Sequence, residues 1–417
     1  MRKTFTVCIL LCCCLIISAQ TQYTQIFDPH FKTLEVKNLT SRYNHPVLDM
    51  SNADDYLTIS FDELSHDMRN LSYTVVHCNA DWSIDNLSRF EYIDGAEYAE
   101  ITDYETSVNT YVAYTHYQFR FPNEEMHPIV SGNFLIRIYE DSDPDKILLQ
   151  TRCHLVDMRT DINANIRANT DIDLVGKHQQ IDFEVTTDRM NILNPASDLK
   201  TVIRQNGRTD NEAFGIKPTA LFSGKVSYAN SRECIFEAGN EYRILDISNR
   251  YVKDFDVKDI LLTGGMFHVE MLDAHPRTAK YDYYTDADGK FIINLQRNAY
   301  DDQTEADYYW VHFFLPAETP FFDSRLFVTG DFDQQLLNHD NEMEYDAALN
   351  GYRASFLLKQ GGYNYLYLLK KKGEQQGSCL PFEGSFWQTE NEYEIFVYYR
   401  PIQGRFDQLV GYKIVRN

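Results

Sequence analysis

The sequence predicts a mainly β protein, a multi-domain array of Ig-like/E-set β-sandwiches. Three observations point there. Tyr and Phe, which suit strands, number 29 and 26, against only 19 Gly and 12 Pro. Short runs rich in Val, Ile, Tyr and Phe recur along the chain, many alternating with polar residues, with clusters of Asn, Asp, Gly and Ser between them; strands at that spacing suggest sandwiches. Helical periodicity is weak throughout. A chain of 417 residues, at roughly 100–200 residues per domain, is expected to hold about two to four domains.

The first element is a signal peptide over residues 1–19. Arg2 and Lys3 make a basic start, Val7 to Ile17 is an apolar run, and Ile17-Ser18-Ala19 is an acceptable small-residue cleavage site, so that the mature chain begins at Gln20. The run is too short and wrongly flanked to span a bilayer. Cys12, Cys13 and Cys14 lie inside it, but no Cys stands at its end, where a lipidated residue would sit. No later stretch is long and apolar enough to cross a membrane. The protein is expected to be exported and then soluble or peripherally held.

A first domain is expected over residues 20–158. Its strands are read at Tyr56–Phe61, Leu71–Cys78, Thr115–Phe121, Asn133–Tyr139 and Ile147–Val156. In Leu71–Cys78 the apolar side chains mostly alternate, as a half-buried strand requires. Ser131-Gly132-Asn133 is a turn feeding a strand, and the last two strands read as a hairpin closing the domain. Met158 to Leu174 is polar and marks a boundary. The middle domain, residues 159–300, carries strands at Gln180–Thr186, Leu199–Gln205, Lys225–Tyr228, Tyr242–Asp246, Phe267–Met271 and Phe291–Leu295. The acidic stretch Asp301 to Asp307 reads as a connection into a third, E-set-like domain over 301–417. There the strands are Tyr308–Leu315, Arg325–Thr329, Tyr352–Leu358, Tyr363–Leu369, Tyr393–Tyr399 and Leu409–Val415, with Gly361-Gly362 as a turn between two of them.

Lys and Arg total 39 against 62 Asp and Glu, a formal net charge of -23. Phosphate recognition needs a Lys/Arg surface, so nucleic acid is not an expected partner. An anionic lipid surface is equally disfavoured.

Motifs for catalysis and metal binding are missing from the sequence. Asp286-Ala-Asp288-Gly289 invites a calcium reading, but aligning Gly289 to the invariant loop glycine puts Tyr284 and Leu295 where ligands belong. A turn explains it better. No His-Glu-x-x-His, Gly-x-Ser-x-Gly, P-loop or Gly-x-Gly-x-x-Gly occurs. Glu383 and Glu390 flank Trp387 in the manner of a sugar subsite, against which stands a turn with an aromatic packed beneath it. Neither a metal nor a cofactor is expected, and the chain is not expected to be an enzyme. Cys78, Cys153, Cys234 and Cys379 remain after signal cleavage, without a Cys-x-x-Cys. In an oxidising compartment Cys78 and Cys153 are the candidate disulfide, although other connectivities stay open; buried free thiols are the competing reading.

Two resemblances follow. Leu326-Phe-Val-Thr-Gly330-Asp-Phe332, Met343, Gly351-Tyr352 and Gly361-Gly-Tyr-Asn-Tyr365 look like a starch-binding-type E-set sandwich, but Asp333-Gln-Gln-Leu336 stands where such modules place a sugar-stacking Trp. Over nearly the whole mature chain, the motifs His77-Cys-Asn-Ala-Asp-Trp82, Glu91-Tyr-Ile-Asp-Gly95, Tyr114-Thr-His-Tyr117, Ser131-Gly-Asn133, Ala238-Gly-Asn-Glu241, Leu358-Lys-Gln-Gly361, Glu383-Gly-Ser385, Thr389-Glu-Asn391 and Val397-Tyr-Tyr-Arg400 occur in order. This pattern closely resembles the Bacteroidetes family associated with the plug protein of the type IX secretion system.

The resemblance implies a non-enzymatic periplasmic protein. It would be a monomeric subunit of a larger complex that docks on the periplasmic opening of a large outer-membrane β-barrel translocon and seals it between cargoes. The docking face should be a patch of aromatics with a polar rim. The candidate partner-binding residues are Trp82, Tyr92, Trp387 and Tyr399, expected on exposed loop tips. The alternative reading is a carbohydrate-binding module protein of the cell envelope. A third is a glycoside hydrolase with two carboxylates roughly 5–9.5 Å apart.

Overall fold

The computed structural model describes residues 22–41, 44–65, 68–141, 143–296 and 299–417. The signal-peptide reading of residues 1–19 lies outside them. Among the described residues strands take up 47% and helix 4%, in many mostly antiparallel sheets with no barrel, a multi-sheet β-sandwich array.

The first sandwich packs two sheets. One runs in the order Gln25–Ile26, Asp143–Val156, Gly132–Glu140, Leu71–Cys78 and Ala99–Ile101, with Val47–Asp49 added alongside Asp143–Val156. The other runs Phe31–Lys37, Leu57–Glu63, Thr115–Phe121 and Asp103–Thr106. Period-2 alternation decides which side chains meet between them. Tyr73 and Val75 of one strand, Phe134, Ile136 and Ile138 of the next, and Phe31, Phe61 and Phe121 opposite form one closed core. The opposite face of Leu71–Cys78 carries Val76 and Cys78, which pack with Leu135 and Trp82 instead.

The middle sandwich is discontinuous in sequence. Its first sheet orders Ile162–Arg167, His178–Thr186, Lys225–Ser227 and Ala220–Phe222, with Ile235–Glu237 also on His178–Thr186. Its second orders Ala213–Phe214, Leu199–Gln205, Glu392–Tyr399 and Gln408–Arg416. Leu199 pairs with Tyr399 and Gln205 with Tyr393. Ile181, Phe183, Ile203, Ile395, Val397 and Val410 close the core. The last 26 residues, expected in the third domain, therefore complete the middle one. Their pairing is a long-range choice that no local pattern states.

The third sandwich draws on both sides of the boundary expected at residue 300. One sheet orders Val257–Thr263, Met266–Met271, Tyr308–Pro316, Gly351–Lys359 and Glu344–Asp346. In the other, Arg243–Asp246, Phe291–Ile293 and Ser324–Thr329 all pair with Gly361–Lys371. That boundary cuts through both sheets and is corrected. The acidic stretch Asp301 to Asp307 is no free linker: it holds a short helix, Asp302–Glu305, capped by the Asp301 side chain. Gly361-Gly362 is likewise not a hairpin turn, since Gly351–Lys359 and Gly361–Lys371 belong to different sheets. The glycine is needed for another reason: a Cβ on Gly361 would stand 2.1 Å from the Ile292 carbonyl oxygen.

Candidate functional site

The three sandwiches are joined by buried polar contacts. Between the first and third, Lys359 Nζ donates to Asp62 Oδ2 at 2.5 Å, and the Tyr308 hydroxyl donates to the same oxygen at 2.7 Å. Tyr114 donates its hydroxyl to the Ala306 carbonyl at 2.7 Å, which seats the short acidic helix on the first sandwich. Between the first and middle, the Tyr398 hydroxyl donates to Asn133 Oδ1 at 2.8 Å, and the His154 ring lies 4.5 Å from that of Phe396. Between the middle and third, Arg208 donates to the Gly377 carbonyl at 2.8 Å.

The residues expected at a partner face are largely internal. Trp82 is buried with a left-handed backbone, its ring edge-on to His154 and 4.1 Å from the Arg152 guanidinium. Tyr92 is buried and donates its hydroxyl to the Val75 carbonyl. Tyr399 is half-buried and packs against the middle core. Trp387 is the exposed member of the four. A large aromatic on a loop tip is as able to fold under the loop as to project from it, and for Trp82 a buried cation below supplies the reason.

The Cys78–Cys153 disulfide is corrected as well. All four described cysteines are free and buried. Cys78 pairs across to Asn133, whereas Cys153 pairs to the next residue, Phe134. The two thiols thus sit on opposite faces of the sheet with a strand between them, a separation of about 10 Å that no disulfide spans.

Glu383, expected beside a possible sugar subsite, is fully enclosed. Arg243 Nε donates to it at 3.0 Å, Arg277 Nη2 lies at 2.6 Å, and the Tyr367 amide donates at 3.0 Å. Burial opposes its ionisation, but the two arginines outweigh burial and hold its pKa below the usual glutamate value. It is a structural anion. The Asp286 to Gly289 segment is a turn, with Asp286 Oδ1 accepting from the Asp288 amide and the Lys290 amide donating to the Ala287 carbonyl. Among the described residues no group of three or more His, Cys, Asp or Glu is placed to hold a metal ion.

An exposed apolar surface lies at one end of the third sandwich. Tyr251 is 84% exposed and Phe255 97% exposed, on the loop before Val257–Thr263. That strand is the last of its sheet and exposes Leu261 and Leu262. Leu262 pairs with Phe267; the Arg250 guanidinium lies 5.3 Å from the Tyr251 ring and 5.8 Å from that of Phe267; and Tyr111 of the first sandwich meets Phe267 edge-on at 5.2 Å. Lys253 and Asp259, 3.7 Å apart, add a charged rim. An apolar strand edge left open in this way is a template for another chain. In the sequence Tyr251, Val252, Phe255 and Val257 stand among Lys253, Asp254 and Asp256, and nothing local says that the aromatics face water.

A cavity of about 250 Å³ lies where the three sandwiches meet. Leu34 and Val36 of the first, Arg204 and Glu394 of the middle, and Lys290 and Asp331 of the third are among its lining. His45 Nε2 stands 2.5 Å from Glu392 Oε1, and Arg204 Nε 2.7 Å from Glu212 Oε1. Burial raises the pKa of Glu392, but His45, Lys290 and Arg416 outweigh it and bring the value down to about 2. Burial, helped by the positive charges of Arg204, Arg152 and His45, keeps His154 neutral, well below the ordinary histidine range.

Comparison with known proteins agrees with this layout. The model of the type 9 secretion system plug protein first domain matches residues 31–157, close to the limits of the first sandwich. The crystal structure of a hypothetical protein from Parabacteroides merdae ATCC 43184 is 35% identical, with a TM-score of 0.92 over 95% of this chain and 99% of that one. Dimeric latent PorU from Porphyromonas gingivalis and Escherichia coli alpha-2-macroglobulin activated by porcine elastase each align at 10% identity over 93% of this chain, covering 34% and 30% of theirs. Their TM-scores of 0.14 and 0.18 carry no likeness of fold. No curated protein matches the chain. The first-domain match places residues 31–157 in the type 9 secretion system plug protein family.

Proposed function

We propose that this protein closes the periplasmic opening of an outer-membrane β-barrel translocon of type IX secretion when no cargo is passing. The observation that carries the reading is the plug-protein match over residues 31–157. The architecture supports it. A pore wide enough for folded cargo leaks unless a body of fixed shape fills it. Three close-packed sandwiches tied by buried ion pairs and hydrogen bonds resist deformation. The protein acts by binding rather than by catalysis, from a position at the periplasmic side of the outer membrane. Tyr251, Phe255, Leu261 and Leu262 are the contact surface, where an apolar centre and charged rim suit a protein partner.

The test is affinity purification of the mature protein from detergent-solubilised envelope, with the co-purifying proteins identified. A very large outer-membrane barrel is the expected partner. The Tyr251→Ser/Phe255→Ser double variant, altered only at exposed positions, is expected to keep its fold and recover at least tenfold less barrel. Recovery of the chain alone, from cells that contain the translocon, would overturn the reading.

A further inference from the structure

We propose that the cavity at the three-sandwich junction is a binding site for a small organic carboxylate. The inference stands apart from any contact with a translocon, because it concerns an interior space rather than the outer surface.

Arg152 carries the argument. It comes from the strand Asp143–Val156, lines the cavity, and is 7% exposed. Its guanidinium is clamped between two rings, 4.5 Å from Tyr23 and 4.1 Å from Trp82. Nε donates to the Gln22 carbonyl. Nη1 is buried and has no hydrogen-bond partner among the described residues. A buried guanidinium N–H without an acceptor is costly, so native proteins seldom leave one unmatched. The ring clamp fixes the plane of the fork but supplies no anion.

The surroundings select the ligand. Arg204, the other arginine on this wall, already has Glu212 at 2.7 Å and Glu394 at 3.7 Å. His154 is neutral and its Nδ1 is engaged with Asn133 Oδ1 at 2.8 Å. Arg152 feels the charge of the same Glu212, which is already bonded to Arg204, but makes no ion pair or carboxylate hydrogen bond of its own among the described residues, and a charge-assisted bond to one carboxylate satisfies it. Leu34, Val36, Phe291 and Leu336 give the remaining lining its apolar part, which suits a short apolar or hydroxylated body, while Glu35, Asp331 and Glu394 confine the ligand's carboxylate to the Arg152 side. A space of about 250 Å³, against about 30 Å³ for a water in bulk, corresponds to roughly eight waters and limits the ligand to the size of a small metabolite. Asn44 lines the cavity and is exposed, which places the mouth beside it.

The test uses the mature full chain. Acetate, lactate, succinate and glutamate, with inorganic phosphate as the other anion, are titrated by calorimetry. They are also followed by fluorescence in a Trp310→Phe/Trp387→Phe background, where Trp82 is the sole remaining tryptophan of three. At least one carboxylate is expected to bind saturably and to shift the Trp82 emission. Arg152→Met is expected to weaken that binding at least tenfold. Because Arg152 is buried, this variant risks misfolding, so Thr209→Phe, which fills the cavity from another wall with Arg152 intact, is the second variant and is expected to weaken binding as much. No saturable binding by any carboxylate, phosphate binding in place of carboxylate, or carboxylate binding that survives a folded variant would overturn the proposal.

Discussion

Lys359 and Asp62 are 297 residues apart in sequence and 2.5 Å apart in the fold, with both side chains fully enclosed. The pair joins the first sandwich to the third. His116 completes the anion's shell at 2.6 Å, and the ammonium lies 4.3 Å from the Tyr114 ring. Burial opposes ionisation of Asp62, but Lys359 and His116 outweigh it and hold its pKa below the ordinary value.

Removing one partner leaves a buried charge uncompensated. Lys359→Met is expected to cost about 3–5 kcal/mol of unfolding free energy. The Asp62→Asn/Lys359→Met double variant is expected to recover part of that loss, since no charge then remains stranded. Denaturant unfolding of the parent protein and the two variants checks both statements; equal losses in the single and double variants would contradict them.

Two neighbouring carboxylates give pH dependences of opposite sign. Burial, with the repulsion of Asp286 and Glu392, pushes Asp288 up to about 7. The folded state then keeps a proton that the unfolded chain has lost, so stability falls as pH rises from about 4 to about 7. Asp288 is in the left-handed region at φ 53°, which Asn tolerates well. Asp288→Asn is expected to stabilise on the order of 2 kcal/mol at pH 8 and not at pH 4. A gain independent of pH would show that charge is not its cause.

Glu392 runs the other way. Its folded pKa of about 2 lies below the unfolded value of 4.5. Its contribution is fully present above about pH 4.5 and is lost as pH falls toward 2. Glu392→Gln is expected to lower the melting temperature at pH 7 and to close the gap to the parent protein as both approach pH 2. A constant gap across that window would refute the assignment.

The four cysteines should be silent to thiol reagents. Burial pushes the Cys78 and Cys234 thiols up to about 12, and those of Cys153 and Cys379 are raised as well. Reactive thiolate is scarce and access is blocked. A dithiobenzoate reagent is expected to label none of these four in the folded protein and all of them in guanidinium. A reducing agent is expected to leave the melting temperature unchanged, whereas a drop would reveal a disulfide.

The C-terminal hairpin is integral to the middle sandwich. Deleting residues 390–417 removes Glu392–Tyr399, which lies between Leu199–Gln205 and Gln408–Arg416, and with it Tyr393, Ile395 and Val397 from the core. Limited proteolysis of the truncated chain is expected to cut within residues 160–240 while sparing the first sandwich. Protection of that stretch at parental levels would contradict the pairing.

The sequence by itself determined the strands and the family. Leu71–Cys78, Thr115–Phe121 and Leu199–Gln205 occur with the bounds their alternation predicts, because strand periodicity is a local property of side chains facing alternately toward the core and away from it. Only the tertiary structure decided which strands pair. Glu392–Tyr399 is as good a strand in either sandwich; its place beside Leu199–Gln205 depends on residues nearly two hundred positions away. The same holds for exposure. Trp82 is drawn inward by Arg152, Cys78 and Cys153 are kept apart by the pleat, and Phe255 is left in water because the strand that follows its loop, Val257–Thr263, ends the sheet. Each outcome depends on what the rest of the chain brings to the other side of the residue, and local residue pattern carries no record of that.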